Sequence, residues 1–162
     1  MENLSKKRKI AIGVIIAIIV FTLGFIWGNS LKTVEQSSES SGKVYETVKT
    51  VVDAVFGEDV VPVTHTSIRK LAHYTEFAVL GAEMCALFIA LKRESFKGYL
   101  HVLPYGVFVA SVDECLQFLS DRGPAITDVL IDFGGYLFAT AIFFTVFIIR
   151  RKRKVRKTEN LT

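Results

Sequence analysis

Several signatures that would announce a chemistry are missing from this chain. There is no nucleophile elbow, no glycine-rich phosphate loop and no complete set of metal ligands at local spacing, which removes the common serine-hydrolase and nucleotide-binding readings. No internal repeat is visible. The net charge is +4, yet the basic residues are not interleaved with aromatic or polar readers along one face, which excludes nucleic acid as a partner. Only two cysteines and three histidines occur in 162 residues. His65 and His101 fall on opposite sides of the arrangement derived below, so a shared metal between them is excluded.

Apolar sequence is abundant instead. Hydrophobic residues make up 51% of the chain, and the mean hydropathy of +0.39 is high for a soluble protein. Four stretches reach the roughly 18 residues that cross a hydrocarbon core of about 30 Å: 10–27, 72–91, 99–119 and 126–149. The first is clean, and the other three carry ionisable residues. Lys6, Lys7, Arg8 and Lys9 precede the first run as they would in a secretory signal. That run is longer than an h-region and ends in FIWGNS rather than in a small-residue cleavage site, so an uncleaved anchor is expected.

The basic segments set the orientation. Of the twenty Lys and Arg, four lie at 6–9 and seven in RRKRKVRK (150–157), and KRESFK (92–97) joins the second and third runs. All three fall on one side of a four-span arrangement, which the positive-inside rule makes cytoplasmic. The 29–67 connection, richer in Glu and Asp, belongs outside. The basic tail either binds anionic inner-leaflet lipid or serves only to set topology. With this arrangement Cys85 lies roughly 20 Å below the outer surface and Cys115 about 6 Å below it, too far apart to bridge. Two free thiols are expected.

The sequence thus predicts an all-α integral membrane protein with four transmembrane helices and an outer amphipathic helix between helices one and two. Residues 1–28 form a basic tail and first span, 29–67 an extracytoplasmic spacer and amphipathic helix, 68–149 a three-helix core and 150–162 a basic cytoplasmic tail. QSSESSG (36–42) reads as a flexible spacer. KVYETVKTVVDAVFG (43–57) places Val44, Val48, Val51, Val52 and Val55 at helical spacing, either on the outer leaflet or as a lid on the bundle. Gly24 and Gly28 have the small-xxx-small spacing of a helix contact, and Pro104 falls in the third span as a kink or as part of its first turns.

Depth then organises the charges. The second span begins outside with Arg69, Lys70, His73 and Glu76; the third ends outside with Asp113, Glu114 and Gln117; the fourth begins outside with Asp128 and Asp132. Steps of three, four and seven put each set on one face of its helix. A charge at a span centre costs about 2.5–3.5 kcal/mol even on the lenient scale, so these faces turn toward one another or toward water. The expected result is a polar pocket open to the outside, with Gly123 and Pro124 turning between the third and fourth spans. Glu83 lies deeper, as part of a proton path or as the partner of a neighbouring helix.

RKLAHYTEF (69–77), followed after a span by DECLQFLSDRGPAITDVLIDFGG (113–135), resembles the VanZ-like family of bacterial membrane proteins. In that family Arg-Lys-x-x-His-x-x-Glu precedes Asp-Glu-x-x-Gln, then Arg, Asp, and Asn or Asp before Gly. The resemblance implies Arg69, Lys70, His73, Glu76, Asp113, Glu114, Gln117, Arg122, Asp128, Asp132 and Gly135 as the family positions. Phe77 stands where Tyr is common and Asp132 where Asn often stands. The founding member is associated with lowered susceptibility to glycopeptide antibiotics, teicoplanin in particular, and the resemblance extends that expectation here.

Three roles follow for the pocket. Arg69 and Arg122 grip the phosphate or carboxylate of an envelope molecule, such as a lipid-linked cell-wall precursor. Alternatively, His73, Glu76, Asp113 and Glu114 supply acid and base to a reaction on an envelope lipid. In the third, the charges are interhelical glue, Arg69 pairing with Glu76 or Asp113 and Arg122 with Asp128. His73 and Glu76 alone provide two metal ligands, which do not define a site, so neither metal nor cofactor is expected.

Overall fold

The structure, a computed structural model, describes residues 5–57, 60, 62–93, 95–120 and 125–159. It contains five helices: α1 (Lys6–Ser30), α2 (Val34–Phe56), α3 (His65–Ala90), α4 (Phe96–Leu119) and α5 (Ile126–Glu159). No strand occurs among the described residues.

Among the described residues, three helices are long and apolar enough to cross a membrane: Lys6–Ser30, Phe96–Leu119 and the Ile126–Arg153 part of α5. At 26 residues α3 matches them in length, but Arg69, Lys70, Glu76 and Glu83 dilute its hydropathy. The burial pattern is that of a membrane protein. Ile10, Val20 and Phe21 on α1, Phe108 on α4 and Phe138 on α5 are exposed, while His73, Asp113, Gln117 and Asp132 are buried. A surface this apolar around a partly ionisable interior is soluble in lipid rather than in water.

The bundle is held most closely where α3 meets α5. A Cβ on Gly81 would stand 2.6 Å from the Tyr136 carbonyl oxygen, and one on Gly135 would overlap the Tyr74 carbonyl. These two glycines let the helix backbones touch, which fixes the height of α3 against α5. Tyr136, fully buried, donates its hydroxyl to the Val102 carbonyl at 2.9 Å and so ties α5 to α4. A Cβ on Gly24 or Gly28 would meet nothing within 4 Å among the described residues.

The two ends of the bundle differ in chemistry. At one end Arg8 of α1 donates to the Ala90 and Ile89 carbonyls at 2.6 and 2.9 Å, satisfying the last turn of α3. The basic segments at 6–9 and after residue 149 join it there. The helix of α5 continues through residues 150–157 to Glu159, so this basic segment extends the last span as helix. At the other end lie Ser30 and the polar turns of α3, α4 and α5.

One local expectation is corrected. Residues 36–42 are helical, not a flexible spacer, because a capping box starts α2 earlier: Thr33 Oγ1 accepts from the Gln36 amide and Gln36 Oε1 accepts from the Thr33 amide. Once nucleated at Thr33, the serine-rich turns cost only a few tenths of a kcal/mol per residue to propagate. Pro104 falls in the third turn of α4, which runs from Phe96 to Leu119. Residues 123 and 124, expected to form the outer turn, lie outside the described residues.

Cys85 is buried and Cys115 exposed, both as free thiols. In mild detergent N-ethylmaleimide is therefore expected to modify Cys115 within minutes and Cys85 only after denaturation. Equal labelling rates, read by intact mass, would contradict the packing of α3.

Candidate functional site at the polar end of the bundle

Four helices build this site, one more than the sequence predicts. The first four turns of α3 bring Arg69, Lys70, His73 and Glu76; the last two turns of α4 bring Asp113, Glu114 and Gln117; the first two of α5 bring Asp128 and Asp132. The addition is the end of α1, with Asn29 and Ser30. Their only sequence signal is that FIWGNS closes the first span at the level of the other charges.

Asp113 is the hub, with no exposed surface. Ser30 donates to its Oδ1 at 2.5 Å and Gln117 Nε2 to its Oδ2 at 2.9 Å. His73 Nδ1 lies 3.5 Å from Asp113 Oδ2 and 3.8 Å from Asp132 Oδ1, so one imidazole sits between two carboxylates. Ser120 donates to the Ser30 carbonyl at 2.9 Å and locks the end of α1 to the end of α4. Three helices, α1, α3 and α4, thus meet through the Asp113 side chain, and His73 passes the contact on to Asp132 of α5.

The fixed cations lie nearer the surface. Lys70 Nζ is 2.8 Å from Asp128 Oδ1, and Arg69 Nη2 is 3.8 Å from Asp128 Oδ2. The expected pairing of Arg69 with Glu76 or Asp113 is thereby corrected, because α5 carries Asp128 to the exposed flank of α3 while Asp113 is engaged underneath by Ser30 and Gln117. Glu76 turns instead toward α1, where Asn29 donates to its Oε1 at 3.2 Å. Glu114 accepts from the Ala125 amide at 2.5 Å, just ahead of α5, where a carboxylate is favoured by the helix dipole. Glu83 is separate from the cluster and accepts from Thr22 of α1 at 2.8 Å. Arg122 lies outside the described residues.

The space within the cluster is small. Arg69, Lys70, His73, Gln117, Asp128 and Asp132 bound about 10 Å³, the size of one water or one ion. An open polar pocket of ligand size is therefore not what these residues enclose; opposite charges have closed on each other. A larger groove of about 430 Å³ runs along the other side of α3, lined by Phe21 and Phe25 of α1, Val44 and Val48 of α2, Leu71, Val79 and Glu76. Its walls are apolar apart from Thr22, Thr75 and Glu76.

With this constellation in place, the sequence profile of the VanZ/LLP1 family matches residues 10–149. The chain belongs to the VanZ/LLP1 family. The match extends beyond the 69–135 stretch and takes in α1, the helix that supplies Ser30 to the Asp113 hub. No curated protein and no solved structure matches this VanZ-like chain. Of the positions that the resemblance singles out and the structure describes, His73, Asp113, Glu114, Gln117 and Asp132 are buried, Arg69, Lys70, Glu76 and Asp128 are partly exposed, and Gly135 lets α5 approach α3.

Proposed function

We propose that this VanZ-like protein recognises the anionic headgroup of an envelope lipid, a lipid-linked cell-wall precursor being the class that fits, at the outer face of a bacterial cytoplasmic membrane. In this reading α3 is a fourth span, shielded from lipid by its neighbours, and α2 lies on the outer side. Both termini are cytoplasmic, which the gathering of the basic segments at the Arg8 end supports.

The observation that carries the reading is the placement of Arg69 and Lys70. Both are partly exposed at the mouth of the cluster, and both are held by the same Asp128. A phosphate offers more acceptor oxygens than one carboxylate and would take these two cations from Asp128. The apolar groove on the other side of α3, with Glu76 in its wall, suits the chain of such an amphiphile. A catalytic role on the same lipid has one feature in its favour, His73 between two carboxylates. It predicts an altered lipid product that is lost with Asp113→Asn.

The test is a titration of the protein, in nanodiscs of phosphatidylcholine, with a polyprenyl phosphate. Wild-type protein should bind saturably, and Arg69→Ala/Lys70→Ala should bind at least tenfold more weakly with little change in melting temperature. Unchanged affinity in the double variant would remove the headgroup reading. Cells making the wild type should also tolerate more teicoplanin than cells making the double variant at equal abundance; equal susceptibility would remove the glycopeptide part alone.

A further inference from the structure

We infer that His73, Asp113 and Asp132 form a binding site for one divalent transition-metal ion, of the Zn²⁺ or Mn²⁺ type. The site goes beyond headgroup recognition and does not depend on it.

The three donors come from three helices, α3, α4 and α5, so no local spacing announces them. One ligand atom from each lies within 4.8 Å of the other two. An ion held at 2.0–2.2 Å needs ligand atoms roughly 3.3 Å apart in tetrahedral geometry. The separations of 3.5 and 3.8 Å from His73 to the two carboxylates meet that need after small rotations of side chains.

Charge points the same way. Asp113 is 0% and Asp132 2% exposed. Among the described residues, neither pairs with a lysine or arginine, since Arg69 and Lys70 are both directed at Asp128. Two buried carboxylates beside one histidine are an excess of negative charge, which is costly in a bundle surrounded by lipid. Asp132 Oδ2 supplies a separate observation: it is buried and makes no hydrogen bond among the described residues. The space of about 10 Å³ that His73 and Asp132 help to bound has the volume of a single ion.

The surroundings are those of a ligand held in place. Asp113 is oriented by Ser30 and Gln117, and Ser30 by Ser120, which is the kind of outer support that fixes metal-binding carboxylates. One imidazole with two carboxylates suits Zn²⁺ or Mn²⁺, whereas Mg²⁺ and Ca²⁺ favour oxygen ligands throughout. Three protein ligands leave at least one coordination position unfilled by the chain. Arg69, Lys70 and Asp128 bound the same space, so an anionic oxygen entering there would meet the ion and both cations together.

The experiment uses the full-length protein, purified without a histidine tag, stripped with EDTA and dialysed in detergent. ZnCl₂ and MnCl₂ are titrated by calorimetry, with MgCl₂ for comparison, and bound metal is counted by elemental analysis. One Zn²⁺ or Mn²⁺ per chain is expected, with a rise in melting temperature and binding at least tenfold weaker for Mg²⁺. Asp132→Asn and His73→Gln should each weaken binding at least tenfold, and Gln117→Ala, one step removed, about tenfold. Arg69→Ala/Lys70→Ala should keep the ion, which separates this site from headgroup recognition. The inference is overturned if the wild type shows no saturable binding, or if Asp132→Asn, which removes no hydrogen bond from Oδ2, retains wild-type affinity. Should His73→Gln fail to accumulate, Asp132→Asn and Gln117→Ala carry the comparison.

Discussion

A Gly135→Ala variant is expected to lose most of its folded population in mild detergent, despite adding one methyl group. The new Cβ would overlap the Tyr74 carbonyl. That obstacle is backbone rather than a side chain that can rotate away, so α3 and α5 must move apart along their length. The cost should lie at or above the upper end of the roughly 1–3 kcal/mol typical of overpacking. Gly28→Ala is the matched comparison, because its Cβ would meet nothing within 4 Å among the described residues, and it should leave the melting temperature within a degree or two of wild type. A Gly135→Ala protein that melts with the wild type would mean that the two helices do not make this contact.

Asp113→Ala should be the most damaging change within the polar end, at about 3 kcal/mol, the scale for removing one member of a buried charged group. The substitution strands Ser30, Gln117 and His73, which belong to α1, α4 and α3. It should be measured with a chelator present, so that loss of an ion does not add to the effect. Interhelical polar contacts in membranes average only about 0.6 kcal/mol. The larger figure is expected because one carboxylate serves three helices with no exposed surface. Combining Asp113→Ala with Ser30→Ala should cost less than the sum of the two single changes, since the second removes a donor already left without its partner. Strict additivity would argue that the Ser30–Asp113 bond does not form in solution.

Much of this arrangement was legible residue by residue. Arg69, His73, Asp113, Asp128 and Asp132 could be placed at one level because span order and helix rise determine depth, and the structure brings them together. Position around each helix was harder to read. Arg69, His73, Glu76 and Glu83 form a single stripe by spacing, yet His73 faces α4 and α5 while Glu76 and Glu83 face α1. A stripe wide enough to touch two neighbours does not say which neighbour each residue meets. Ser30 is not legible in the sequence because a lone serine at the end of an apolar run has no distinguishing pattern. Its importance arises from a partner 83 residues away. Helicity at 36–42 is hidden for a local reason: the serine-rich composition reads as a spacer, whereas the Thr33–Gln36 box starts the helix.

Hydropathy and charge are properties that each residue carries with it and that sum along the chain, so the apolar helices, the basic end and the height of the acidic cluster follow from the sequence by itself. Pairing is not a sum. It depends on how the helices are rotated and how closely they approach, which the contacts of Gly81 and Gly135 decide between α3 and α5. Only the packed bundle could therefore assign Arg69 and Lys70 to Asp128, leave Asp113 and Asp132 to share His73, and close the space between them to the size of one ion.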